Sequence, residues 1–155
     1  MLCPMLIHNL SAADCRGVLS RMHLGRLACA RHNQPYIVPF SFAFSREEDC
    51  LYSFATHGQK IDWMRENPRV CVEVDDIADQ QHWTTVVIFG RYHEIDRADS
   101  SSPALQRALQ EFEKRSEWWL PAIGKREGGG EHTEPVLYWV SLDTVTGRRA
   151  DRGRA

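Results

Sequence analysis

Leu51-Tyr52-Ser53-Phe54-Ala55-Thr56-His57-Gly58-Gln59-Lys60 is the stretch on which the fold reading turns. Its first half is aromatic and apolar and reads as the body of a strand spanning residues 50–55. A helix follows over residues 58–66, and Asn67-Pro68 stops it because proline pushes the preceding residue out of the α region. A strand therefore feeds a helix through one short turn. Thr56 and Gln59 have the spacing of a capping box. Free amides and the positive end of a helix dipole lie at that turn. Lys60 adds a full charge where it opposes the dipole, and Gly58 lets a ligand approach the backbone. These features suit a phosphate group. A capped helix with a solvated lysine would show the same letters.

Working outward, the N-terminal side opens with a helix capped by Ser11 and Asp14. Cys15, Val18, Leu19 and Met22 form its apolar stripe, and Gly25 reads as its stop. Residues 26–30 and 35–44 are β-type, and Arg31-His32-Asn33-Gln34 between them reads as a hairpin turn. Residues 45–49 are a polar connection. On the C-terminal side residues 69–75 read as a strand and 76–81 as a polar loop. Residues 83–95 are the longest strand candidate, and Val86-Val87-Ile88-Phe89 is apolar on both faces, as in a central strand. Ser102-Pro103 starts a third helix with Leu105, Ala108, Leu109 and Phe112 on one face. A glycine-rich loop covers 122–133 and a last strand 135–142, while the segment from Thr146 is polar and reads as a frayed tail. The expectation is one mainly β domain over residues 1–145 with a C-terminal tail over 146–155. It has about six mostly antiparallel strands and about three helices, arranged as a closed or half-closed barrel.

Composition narrows the function. The chain has 155 residues, 43% of them hydrophobic, and a net charge of −2. That is one globular domain, with no chain-wide basic footprint for nucleic acid. No apolar run approaches the roughly 20 residues of a membrane helix. The five cysteines are odd in number and none is spaced C-x-x-C, so neither a disulfide framework nor a zinc ribbon is indicated. Reduced thiols, with Cys29 and Cys71 in the core, and an N-terminus without a basic leader fit a cytoplasmic protein. Motifs for hydrolases, zincins and Rossmann enzymes are absent.

The ordered set Gly25-Arg26-Leu27-Ala28, Pro35 to Ser41, Gly58-Gln59-Lys60-Ile61 through Asn67-Pro68-Arg69-Val70, Val86 to Arg91 and Thr146-Gly147-Arg148-Arg149-Ala150 resembles the pyridoxamine 5′-phosphate oxidase superfamily. Within it, the nearer match is the branch of small flavin-binding proteins that includes the 5-nitroimidazole resistance proteins. The resemblance implies an FMN-binding split β-barrel that dimerises with FMN at the subunit interface. It puts the phosphate on Lys60 and Gln59, the ring against Pro39, Phe40 and Ser41, and the strand end Ser53, Phe54, Ala55 and Thr56 beside it. Trp83, Thr84 and Thr85 would reach the cofactor of the other subunit. Gln59 replaces the oxidases' arginine and Gly58 their serine, so a formal charge is lost, and Thr84 and Thr85 replace an Arg-Gln pair. The C-terminal substrate segment of the true oxidases is missing, which argues against pyridoxal phosphate synthesis.

The implied activity is a flavin-dependent oxidoreductase that passes electrons from NAD(P)H to a small nitro or quinone acceptor. The alternative is a non-catalytic module that stores or senses flavin, haem or F420. His57 beside the turn and His82 before Trp83 are either ligand contacts or loop histidines. Trp118-Trp119 is either a pocket wall or a lid or dimer contact. Arg148 and Arg149 follow the last strand closely enough to reach a cofactor phosphate.

Overall fold

The computed structural model describes residues 5–114 and 135–152. Within them the order is β1 (Met5–Asn9), α1 (Ala12–Arg21), β2 (Leu24–Arg31), β3 (Gln34–Ser41), β4 (Ala43–Ser45), β5 (Cys50–Ala55), α2 (Gln59–Glu66), β6 (Arg69–Asp79), β7 (His82–Glu94), α3 (Pro103–Glu113), β8 (Val136–Ser141) and β9 (Thr144–Arg152). Every pairing is antiparallel. The main path runs β3-β2-β6-β7-β8-β5-β4, with β9 on β7 and β1 on β9. The sheet wraps one core without closing, which is a split barrel. No described helix is long and apolar enough to cross a membrane.

β7 is the pivot. One edge pairs with β6 along its length. The other pairs with β9 from Trp83 to Phe89, then with β8 from Tyr92 to Glu94. Gly90 sits at the handover. A Cβ there would lie 1.8 Å from the Ser141 carbonyl oxygen, so only glycine lets β8 cross so close. The Ser141 hydroxyl accepts the next amide, that of Arg91, at 3.0 Å. Inward-facing Leu27, Val72, Val74, Val86 and Ile88 build the core with Phe42 and Tyr138. A second cluster, around Tyr52, Leu137 and Phe112, seats α3.

The hairpin turn forms as its residues demand: His32 and Asn33 both take positive φ, 49° and 62°, as a two-residue turn between twisted strands requires. The Ser11 cap also forms, accepting the Asp14 amide at 3.1 Å.

Other expectations are corrected. Gly25 does not stop α1, which ends at Arg21. It lies inside β2, where a Cβ would come 2.7 Å from the Glu73 carbonyl oxygen. Residues 35–44 divide at Phe42, because the last part crosses to pair with β5. The polar loop at 76–81 is mostly strand. β6 runs to Asp79, whose carboxylate takes the amides of Gln81 and His82 at 2.7 and 2.9 Å. The segment from Thr146 is not frayed: it belongs to β9, held between β7 and β1. β1 itself has no counterpart in the sequence reading. β9 is polar, and β1 and β9 pair with segments far away in the chain, so local pattern does not reveal them. The described strands number nine rather than six. The glycine-rich loop and Trp118-Trp119 lie outside the described residues.

Candidate functional site

The expected site residues fall into two groups. The first surrounds the junction of β5 and α2. Ser53, 1% exposed, donates to the Ser41 carbonyl at 2.7 Å and ties β5 to the end of β3. Pro39 is exposed, Phe40 points into the core, and Phe54 packs edge-on against Phe112 of α3 at 5.0 Å. Phe40 and Phe54 thus offer a ligand little beyond backbone. Ala55 is buried and Thr56 half-buried.

The capping box does not form. Gly58 is the N-cap of α2 and no side chain caps it. The amides of Ile61 and Asp62 return to the Gly58 carbonyl at 3.0 and 3.2 Å. An uncapped helix start keeps donors available for an anion. Lys60, half-buried, stands in that first turn, and Gln59 beside it is exposed. The Lys60 charge reaches the Cys29 thiol, whose pKa burial raises and the lysine partly lowers. His57 is bonded to Asp62 (Nε2 to Oδ1, 2.8 Å). Trp63 fixes the helix against Tyr36 and under the Arg31 guanidinium, 5.1 Å above its ring.

The second group lies at the other end of the sheet. The Thr85 hydroxyl donates to Glu73 at 3.0 Å. Trp83 and Thr84 line a shallow cleft of about 190 Å³ with Asp76, Ala78, His82, Arg149 and Ala150. His82 is held by Asp79 at 2.9 Å. Ladder register separates the two groups within one chain. Phe89 is level with Ala28, next to Cys29, and Thr84 lies five residues further along β7, about 17 Å at the rise of a strand.

The outer face of the sheet carries a feature the sequence reading missed. Ile37, Ala28, Cys71 and Phe89 are successive ladder partners across β3, β2, β6 and β7. They make an apolar row in which Ile37 is 63% and Phe89 57% exposed. Cys71 is therefore half-buried on this face and not in the core. The alternation of Cys71, Glu73, Asp75 and Ile77 against Val70, Val72 and Val74 was the available signal.

A model of the family described as pyridoxamine 5′-phosphate oxidase matches residues 11–149. The chain belongs to this family. A curated family relative, an uncharacterized protein of Rhizobium meliloti strain 1021, is 37% identical over 154 residues, covering 96% of this chain and 99% of its own. A crystal structure of a FAD-binding protein from Mesorhizobium loti is 36% identical, with a TM-score of 0.75 over 96% of this chain and 99% of that one. A proposed 5-nitroimidazole antibiotic resistance protein from Bacteroides thetaiotaomicron is 18% identical, with a TM-score of 0.65 over 96% and 92% of the two chains, and shares the fold.

Proposed function

We propose that this protein binds a flavin nucleotide, FMN in the first instance, and passes two electrons from NAD(P)H to a small acceptor of the quinone or nitro type. The observation that carries the reading is the uncapped start of α2 with Lys60 in its first turn, at the end of a strand tied to Ser41. A phosphate there takes the place of the missing cap and offsets the unfavourable position of the lysine. The Mesorhizobium loti protein binds FAD, which supports a flavin and leaves the choice of nucleotide to experiment. A bound flavin would supply the redox chemistry, while the protein supplies position and electrostatics. Lys60 and Gln59 hold the phosphate. Pro39 to Ser41 and the 53–56 strand end line the ring.

The function is proposed for a homodimer. Lys60 and Thr84 stand at opposite ends of one chain's sheet, so a site that uses both would take Trp83, Thr84 and Thr85 from a second copy. The apolar row through Phe89 is the face that supports such packing.

The test is an absorption spectrum of the purified protein, repeated with added FMN or FAD and again with NADPH under anaerobic conditions. Flavin bands that bleach with NADPH, followed by turnover of a quinone or nitro compound, are expected. Bands that persist with every donor would leave a storage or sensing role, and no flavin uptake would overturn the reading.

A further inference from the structure

We infer that Tyr138 is a positioning residue whose hydroxyl acts through Ser53 to hold the strand end at Ser41; that this strand end receives a flavin ring rests on the flavin reading above. Tyr138 is 0% exposed, and its Oη is a buried side-chain atom with no hydrogen-bond partner among the described residues. Phenylalanine would fill the same space without leaving a hydroxyl dry, so this atom calls for a partner. Ser53 is placed to be that partner. Tyr138 and Ser53 are ladder partners on β8 and β5, and both side chains are buried on the same face. Burial pushes the Tyr138 pKa up to about 12, and the Ser53 hydroxyl beside it draws it back down.

The two hydroxyls are complementary. Ser53 gives its one proton to the Ser41 carbonyl at 2.7 Å, and its oxygen keeps lone pairs to accept with. Tyr138 has a proton and no acceptor. A small rotation closes a chain from Tyr138 to Ser53 to the Ser41 carbonyl. Accepting a hydrogen bond makes the Ser53 O–H a stronger donor, because hydrogen bonds in series polarise one another. The Cys29 thiol is also within electrostatic range, but burial raises its pKa, and a thiol sulfur is a weak acceptor. Ser41 is where the hold acts. It ends β3, and the next residue, Phe42, gives its amide to the His23 carbonyl at 2.9 Å as the chain leaves for β4. A looser Ser53 would let Pro39 to Ser41 drift from a ring packed on them.

The test compares the full-length protein with Tyr138→Phe, Ser53→Ala, the double variant and Tyr92→Phe. The last is the control, since it removes a hydroxyl of the same core that bonds to Glu94. Riboflavin, FMN and FAD are titrated by flavin fluorescence, and hydrogen exchange over residues 39–44 is followed by mass spectrometry. Tyr138→Phe is expected to weaken all three flavins alike, about threefold to tenfold, the scale of one hydrogen bond, because it acts on the ring they share. The double variant should bind no more weakly than Ser53→Ala. Residues 39–44 should exchange faster in Tyr138→Phe, with or without flavin, and Tyr92→Phe should change neither readout. If wild type binds flavins and Tyr138→Phe binds them equally well, or its effect adds to that of Ser53→Ala, the positioning role is overturned and the flavin reading stands. If wild type binds no flavin, that reading falls and exchange judges the hold on Ser41. Faster exchange confined to this segment in Tyr138→Phe supports it, and unchanged exchange or a rise across the whole chain overturns it.

Discussion

Lys60, in the first turn of α2, is the residue proposed to hold the flavin phosphate, and Gln59 beside it carries no charge. Lys60→Ala is expected to weaken FMN binding by about 1.5–3 kcal/mol, measured by titration. Unchanged affinity would remove Lys60 from the site. Glu94 shows the same chemistry in a structural role. Arg65 holds its carboxylate with two hydrogen bonds, at 2.8 and 2.7 Å, and the Tyr92 hydroxyl donates a third at 2.7 Å. The Arg65 hydrogen bonds, chiefly, keep the Glu94 pKa below its ordinary 4.5. A depressed carboxylate contributes stability above its unfolded value and loses it as pH falls through the folded one. The pair is half-exposed, so its contribution is at most about 1 kcal/mol, roughly 2–4 °C in a domain of this size. Glu94→Gln should lower the melting temperature by that much at pH 7, and the two proteins should converge as the pH falls through the lowered pKa of Glu94. A gap that persists in acid would show that packing, not charge, sets the effect.

Among the elements, β9 has a weight its composition hides. It pairs with β7 from Trp83 to Phe89 and with β1 over five positions, and Gly147 packs against Cys15 and Leu10. Ending the chain after Asp143 would strip one edge of the central strand and leave β1 without its partner. That truncation is expected to abolish the cooperative thermal transition seen by circular dichroism. A normal transition would mean β9 is an appendage.

For the molecule as a whole, the question is what covers the outer apolar row. Phe89→Asp places a charge at the β7 end of it, on a side chain that contributes little to the chain's own core. Sedimentation velocity is expected to show the wild type as a dimer and Phe89→Asp as a folded monomer, with flavin affinity lost because the two halves of the site no longer meet. A Phe89→Asp dimer would move the interface elsewhere on the surface.

Short-range chemistry was legible in the letters. The Ser11 cap, the His32-Asn33 turn, the stop at Asn67-Pro68 and the apolar run of β7 each act over a few residues, so residue identity alone implies them. The family, and with it the barrel, followed from ordered phrases of the same kind. Other features depended on contacts between distant segments. Whether Thr146 to Asp151 frays or forms a strand depends on β7, some sixty residues earlier. Whether Thr56 caps α2 depends on how the turn is held, and it does not. That Lys60 and Thr84 lie at opposite ends of the sheet depends on strand register, and that Thr84 faces Arg149 depends on which strand takes the second edge of β7. Pairings of this kind are set by burial and hydrogen bonding across the folded barrel, and no local period in the chain encodes them.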